Sequence, residues 1–281
     1  MKVSIVGLGL IGSSIAKDLR KNNFANKIIG VEKNTKHAHD ALQLGIVDEI
    51  DQLTEAVFGA DLVVVSVPVD KIVTILPQIL DVIGKQTTVT DVGSTKASIV
   101  EAVLQHPNRS QYVAAHPMSG TENSGPQAAL EGLFCNKTTI ICDKDFSAPT
   151  HLVKVEKMYH ALGSRLAYMS ADDHDHNTAF VSHLPHVTAF ALANSVLQKE
   201  DRQVIVELAG GGFRDASRLA KSSPEMWTPI FEQNKRYLLE AIAEYSKHLQ
   251  QMQQAIADDR WDVVFEQIKF SNKLRDILKK D

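Results

Sequence analysis

The stretch Lys2-Val3-Ser4-Ile5-Val6-Gly7-Leu8-Gly9-Leu10-Ile11-Gly12 decides the fold. Lys2–Val6 is an apolar run of strand length, and the glycines behind it fit the pattern GxGxxG. Glycine is common, so the pattern alone is weak; directly after a strand and at the start of a helix it has a mechanism. Gly7 permits the tight turn, Gly9 lets the backbone approach a pyrophosphate, and Gly12 lets helix and strand pack closely. A pyrophosphate would then sit at the positive end of the helix, over Leu10 and Ile11. A glycine turn that binds no nucleotide is the competing reading. Glu32, which follows a second apolar run, stands about 20 positions after Gly12, the spacing of an acidic residue that binds the adenosine ribose. Its charge would repel a 2′-phosphate and favour NAD over NADP, an inference that neighbouring Lys33 weakens.

Working outward, short β-rich runs recur at 27–31, 62–65, 87–90, 112–115, 138–141 and 165–168. They are apolar throughout, as strands covered on both faces are, and helical stretches such as 11–21, 71–83 and 96–105 separate them. Pro77 is expected to kink or break the second of these. The rhythm predicts an α/β domain of Rossmann type, its parallel sheet wrapped by helices, over residues 1–170. The direction of the last two strands stays open. Beyond Ser170, a helix cap followed by Asp172 and Asp173, strand signals stop. Residues 171–281 are expected to form a mostly α-helical domain, with a kink at Pro185 and a new helix at Ser223-Pro224. There Leu238, Ile242, Tyr245, Leu249, Met252 and Ile256 step by 4, 3, 4, 3 and 4. Such a stripe is either bundle core or a dimer interface.

Composition narrows the function classes. The chain has 281 residues, 44% hydrophobic and 23% charged, with a net charge of 30 − 34 = −4. Two domains fit that length, and the charge balance argues against a nucleic-acid partner. No apolar run approaches the roughly 18 residues of a membrane span, and a strand pattern from the second residue argues against a signal peptide. Two cysteines outside any CxxC pair argue for a reducing, cytoplasmic setting.

Polar clusters mark the chemistry. Ser66-Val67-Pro68 and Asp91-Val92-Gly93-Ser94-Thr95-Lys96 follow the third and fourth apolar runs, at the strand ends where open α/β sheets bind ligands; the former could be a mere connector. His116 opens His-Pro-Met-Ser-Gly-Thr-Glu after the run at 112–115. At a strand end a histidine can act as a general base, although a lone histidine is more often structural. Ser182 and His186 share a helix face, with His183 pointing elsewhere. His174, Asp175 and His176 lack a specific metal spacing, and no metal is expected. Gly210-Gly211-Gly212 would shape a backbone that meets a ligand or a neighbouring strand, and Arg214 and Arg218 could grip a carboxylate or form surface ion pairs.

Taken in order, the GLGLIG, DVGSTK, HPMSGTE, SHLPH and GGGFRDASR motifs, with Pro224-Glu225-Met226-Trp227, make the chain resemble the prephenate and arogenate dehydrogenases of tyrosine biosynthesis. The resemblance covers essentially the whole chain. It implies a Rossmann domain followed by a helical dimerisation domain, a homodimer, and oxidative decarboxylation of prephenate (or arogenate) with NAD or NADP accepting hydride. His116 matches the histidine that takes the substrate's hydroxyl proton. Ser94 matches the serine that orients it beside the nicotinamide, where Val67 also lines the cofactor cleft. Thr121, Ser182 and His186 match substrate-pocket residues, and Arg218 matches the arginine that grips a substrate carboxylate. Glu122 and Asp175 match acidic residues of the pocket mouth or its hydrogen-bond network, and Trp227 matches a tryptophan that closes the pocket from its own or the partner subunit. Neither a fused chorismate mutase segment nor an ACT-type regulatory domain is expected. Two other readings compete. A β-hydroxyacid dehydrogenase would use a catalytic lysine such as Lys221 or Lys235, and an NAD-sensing protein would leave His116, His186 and Arg218 unexplained.

Overall fold

The computed structural model of the protein describes residues 1–121 and 123–278. Eight strands form one sheet: β1 (Lys2–Val6), β2 (Lys27–Val31), β3 (Glu49–Ile50), β4 (Leu62–Val65), β5 (Thr88–Asp91), β6 (Tyr112–Pro117), β7 (Thr138–Cys142) and β8 (Arg165–Met169). Their order is β3-β2-β1-β4-β5-β6-β7-β8. All neighbours run parallel except β6 and β7, where Ala114 pairs with Cys142 and His116 with Ile140. Of the two strands whose direction was open, one is therefore antiparallel to its predecessor and the other parallel. The two-residue β3 is too short to leave a periodic signal.

Each buried strand feeds two cores. Val64 faces a cluster with Ile15 and Leu19 of α1 (Leu10–Lys21), while Val63 and Val65 face one with Ile72, Leu76 and Ile79. Side chains alternate across a strand, so a run apolar at every position requires helices on both faces. Helices α2 (Thr35–Gln43) and α3 (Leu53–Val57) precede α4 (Val69–Val82), which supplies that second face. It runs through Pro77 without a break, contrary to one expected outcome. Five fully or nearly buried side chains, Val69 to Leu80, hold it to the sheet and offset the lost backbone bond. The next helix, α5, is only Ala97–Glu101, ending before the expected 105, and it starts one residue after Lys96, whose side chain is buried in the core.

After α6 (Pro149–Ala161) and β8, Ser170 caps α7 (Ala171–Thr178), its Oγ accepting from the Asp173 amide at 3.0 Å. A π turn, Ala179–His183, then leads into α8 (Leu184–Leu197), with Pro185 in its first turn. The proline sits where the wider turn has already relaxed the helix ladder. Helices α9 (Arg202–Glu207), α10 (Gly211–Ser217) and α11 (Pro224–Gln233) follow, the last capped by Ser223 as the sequence suggests. The chain forms two compact units, Met1–Asn234 and Lys235–Asp281. In the second, α12 (Lys235–Ala257) carries the predicted stripe and α13 (Trp261–Ser271) and α14 (Leu274–Leu278) follow. Among the described residues no helix is long and apolar enough to cross a membrane.

Candidate active site

Because β1, β4, β5 and β6 are parallel, the loops after Val6, Val65, Asp91 and the His116 region leave the sheet on one edge. Strand order reverses between β1 and β4, the place where such sheets bind ligands. The glycines behave as their positions require. Gly7 has φ +98°, and a Cβ there would lie 2.3 Å from the Ser66 carbonyl oxygen and 2.9 Å from Val67. A Cβ on Gly12 would lie 2.1 Å from the Gly7 carbonyl oxygen, whereas one on Gly9 would meet nothing within 4 Å. Gly9 thus fronts open space, and α1 behind it has no side-chain cap, leaving its first amides available to an anion. Leu10 is buried and Ile11 half-buried at that helix start. Glu32 lies just past β2 with each oxygen held once: the Leu8 amide donates to one at 2.9 Å, the Asn34 amide to the other at 2.8 Å. The carboxylate is thereby fixed beside the glycine loop, with lone pairs left for a ribose hydroxyl. An open cradle, a bare helix terminus and a fixed acid fit a dinucleotide.

Beneath the next two loops lies a buried ion pair that sequence reading did not single out. Lys96 and Asp91 are both fully buried, and the Lys96 ammonium donates to Asp91 and, at 2.9 Å, to the Ala115 carbonyl. Asp91 also accepts from the Tyr112 hydroxyl at 2.7 Å and from the Gly93 amide at 2.8 Å. Burial and the Asp91 charge push the Tyr112 hydroxyl well above its usual pKa, so it stays a donor. The DVGSTK loop is thus bolted to β6 one residue before His116. A paired buried charge gains little net stability, but removing one partner would strand the other.

His116 is almost fully buried, and its Nδ1 lies 2.8 Å from Nε2 of His174. His174 Nδ1 lies in turn 2.7 Å from Asp175 Oδ1. The Asp175 carboxylate also accepts the amides of Lys96 at 2.8 Å and Ala97 at 2.9 Å. Desolvation, with neighbouring His174, Lys96 and His183, holds the His116 pKa well below the ordinary imidazole value. His116 is therefore neutral at pH 7 and able to accept a proton.

The helical side completes the cluster. Asn234 donates to the Asp175 carbonyl at 2.7 Å and lies 3.0 Å from His183 Nδ1. Burial depresses His183 to about 4, and the Ser94 main chain lies beside its ring without reaching hydrogen-bond geometry at Nε2. Trp227 is buried within its own chain, stacked on His186 with ring centroids 3.5 Å apart and edge-on to His183 at 5.9 Å. His186 Nδ1 lies 2.9 Å from the Ser182 carbonyl, so this pair does share a face. Desolvation, followed by the nearby Arg218 charge, lowers the His186 pKa despite that bond. Arg218 itself is exposed and makes no hydrogen bond or ion pair among the described residues.

Most of the residues singled out from sequence converge: contacts through His174, Asn234 and His183 link His116, Asp175, Ser94, Trp227, His186 and Ser182, and the Arg218 charge lies near His186. Asp175 is buried, its oxygens engaged by protein donors, which places it in the hydrogen-bond network. Thr121 lines an open groove of about 590 Å³ with Asn123, Ser124 and Gln127, and Glu122 lies outside the described residues. A Cβ on Gly210, Gly211 or Gly212 would meet nothing within 4 Å, so no strand packs on these glycines as one reading required. Among the described residues no group of three or more His, Cys, Asp or Glu could hold a metal. Sequence reading named Lys96, His174 and His183 without giving them a role in this cluster, set His183 apart from it, and did not name Asn234. Charge and adjacency hinted at the first two; only tertiary contact identifies the others.

Residues 15–168 match the family model for the prephenate dehydrogenase nucleotide-binding domain, and residues 170–270 that for the prephenate dehydrogenase dimerization domain. The chain is 32% identical over 280 residues to the prephenate dehydrogenase of Bacillus subtilis, spanning 98% of this chain and 76% of that protein. It is 33% identical over 285 residues to the cyclohexadienyl dehydrogenase of Zymomonas mobilis, spanning 99% and 96%. The crystal structure of prephenate dehydrogenase from A. aeolicus in complex with hydroxyphenyl propionate and NAD+ superposes with a TM-score of 0.89 at 32% identity, covering 99% of this chain and 98% of that one. Synechocystis arogenate dehydrogenase gives 0.81 at 30% identity, covering 99% and 100%. On motif order, sheet topology and full-length similarity alike, the chain belongs to the prephenate dehydrogenase family.

Proposed function

We propose that the protein is a homodimeric, NAD-dependent dehydrogenase that converts prephenate to 4-hydroxyphenylpyruvate in tyrosine biosynthesis. The observation that carries this reading is a buried, neutral His116 at the end of β6, on the same sheet edge as the open glycine cradle. The bound nicotinamide supplies the hydride acceptor. Within the chain, Gly7, Gly9 and the first turn of α1 receive the pyrophosphate, and Glu32 receives the adenosine ribose. Val67 borders the cleft. Arg218, a cation with no ion pair among the described residues, takes a substrate carboxylate, while Ser182, His186 and Trp227 wall the ring and Ser94 orients the hydroxyl.

The proton balance places His116. As the C4 hydrogen leaves as hydride, the hydroxyl proton passes to His116 and the C4–O bond becomes a carbonyl. The C1–carboxylate bond then breaks, carbon dioxide departs, and its electron pair aromatises the ring. The phenolate oxygen recovers a proton from His116. Base and product are restored, and aromatisation makes the sequence effectively irreversible.

The division of labour falls at residue 170, a boundary supported by the point at which the two family models meet. The helical part is the dimerisation domain; Tyr245, Leu249 and Ile256 of the α12 stripe are exposed apolar side chains suited to a second copy. Two free cysteines fit a reducing cytoplasm. Because relatives include enzymes named for arogenate and cyclohexadienyl substrates, the deciding experiment compares prephenate and arogenate with NAD and NADP in steady state. Turnover of prephenate with NAD at the highest kcat/KM supports the reading; turnover of neither substrate contradicts it.

A further inference from the structure

We propose that His174 is a positioning residue, which fixes the tautomer of His116 so that a bare Nε2 faces the substrate hydroxyl. The inference rests on the prephenate dehydrogenase reading above, and its premise is the direction of one hydrogen-bond chain. The Asp175 carboxylate receives the Lys96 and Ala97 amides, at 2.8 and 2.9 Å, one on each oxygen, so both oxygens act as acceptors. The His174 nitrogen facing it, Nδ1 at 2.7 Å, must therefore carry hydrogen. His174 is completely buried, and desolvation holds its pKa down, so it is neutral and its Nε2 is a lone pair. His116 Nδ1, 2.8 Å from that lone pair, must then be the donor. A neutral imidazole has one N–H, so Nε2 of His116 is left bare.

The opposite tautomer of His116 would set two lone pairs face to face at 2.8 Å in a site closed to water. The rings meet edge-on, centroids 5.0 Å apart and planes at 66°, which aligns a donor with a ring nitrogen and excludes stacking. The other charged or titratable groups around the pair are Lys96, Asp91 and His183. None of them is hydrogen-bonded to His116. When His116 accepts the hydroxyl proton, its Nδ1–H remains a donor to His174, and the new positive charge is felt by Asp175 through that ring. No proton needs to move along the relay. Asp175 also receives the two amides that open α5, so the same carboxylate holds the loop carrying Ser94 and the orientation of His116.

The test combines nitrogen-15 NMR of the histidine-labelled, full-length protein at neutral pH with two variants. In wild type, His116 should show a protonated Nδ1 and a bare Nε2. His174→Phe removes the acceptor but keeps a ring; it should lower kcat by roughly 10²-fold or more, as a wrong base tautomer does elsewhere, with KM changed by less than about threefold. His174→Gln, whose amide oxygen can stand near the lost Nε2, should recover at least about tenfold of that loss and restore the Nδ1–H signal. A merely structural role predicts losses that follow thermal stability and no such rescue. The proposal is overturned if wild-type His116 carries its hydrogen on Nε2, or if His174→Phe keeps kcat within about threefold. Should His174→Phe not fold, the wild-type tautomer and the His174→Gln kcat decide. Absence of any dehydrogenase turnover in wild type would sink the functional reading instead, while the tautomer result would still stand for or against the relay.

Discussion

At the residue scale, what matters is which side chains are engaged and which are left free. Glu32 is held by two amides yet keeps accepting capacity toward the glycine loop. Its charge would oppose a 2′-phosphate, so wild type should prefer NAD. Glu32→Gln should narrow the NAD-to-NADP ratio of kcat/KM by about tenfold, equivalent to roughly 1.4 kcal/mol; equal kcat/KM for both cofactors in wild type would contradict this. Arg218 is exposed, with no ion pair among the described residues. These positions were legible in the sequence because each belongs to a motif with a fixed offset from a strand or a glycine. His183 and Asn234 were not. A buried histidine bonded to an asparagine 51 positions away leaves no local pattern.

Among the elements, the strands were the most legible, because burial on both faces makes every position apolar. Helices were less so. Pro77 signals a break that the packing of α4 overrides, and the π turn before Pro185 has no signature of its own. The short helix α7 has consequences beyond its length, since its middle carries His174 and Asp175. Its Ser170 cap both accepts from the Asp173 amide and donates to the Asp173 carboxylate at 2.6 Å. Ser170→Ala should cost about 1 kcal/mol. A thermal midpoint lowered by about 2–4 °C is expected. An unchanged midpoint would show that the tertiary bonds of His174 and Asp175 hold α7 without its cap.

For the whole molecule, the glycine cradle and His116 belong to strands of one sheet, and that sheet was readable from the βαβ rhythm alone. The assembly was only half readable. The α12 stripe fits bundle core or dimer interface equally well, and its side chains divide: Leu238 is buried while Tyr245, Leu249 and Ile256 are exposed. Exposed apolar residues at core-like spacing are what a second copy would cover. Light scattering at micromolar concentration should give twice the chain mass of 31.0 kDa, and a monomer mass would contradict the dimer.

The central claim is that His116, neutral and desolvated, is the base of a hydride-transfer decarboxylation. Its most direct test is the pH dependence of kcat for wild type and His116→Asn with prephenate and NAD. A base must be unprotonated, and the pKa of His116 is depressed. Wild-type kcat should therefore hold as pH falls through the ordinary imidazole value of about 6.5 and decline only below it. His116→Asn should lower kcat by roughly 10²–10⁴-fold, leave KM little changed, and abolish the acid limb. A variant within a few-fold of wild type, or one that keeps the same acid limb, would show that another group takes the proton.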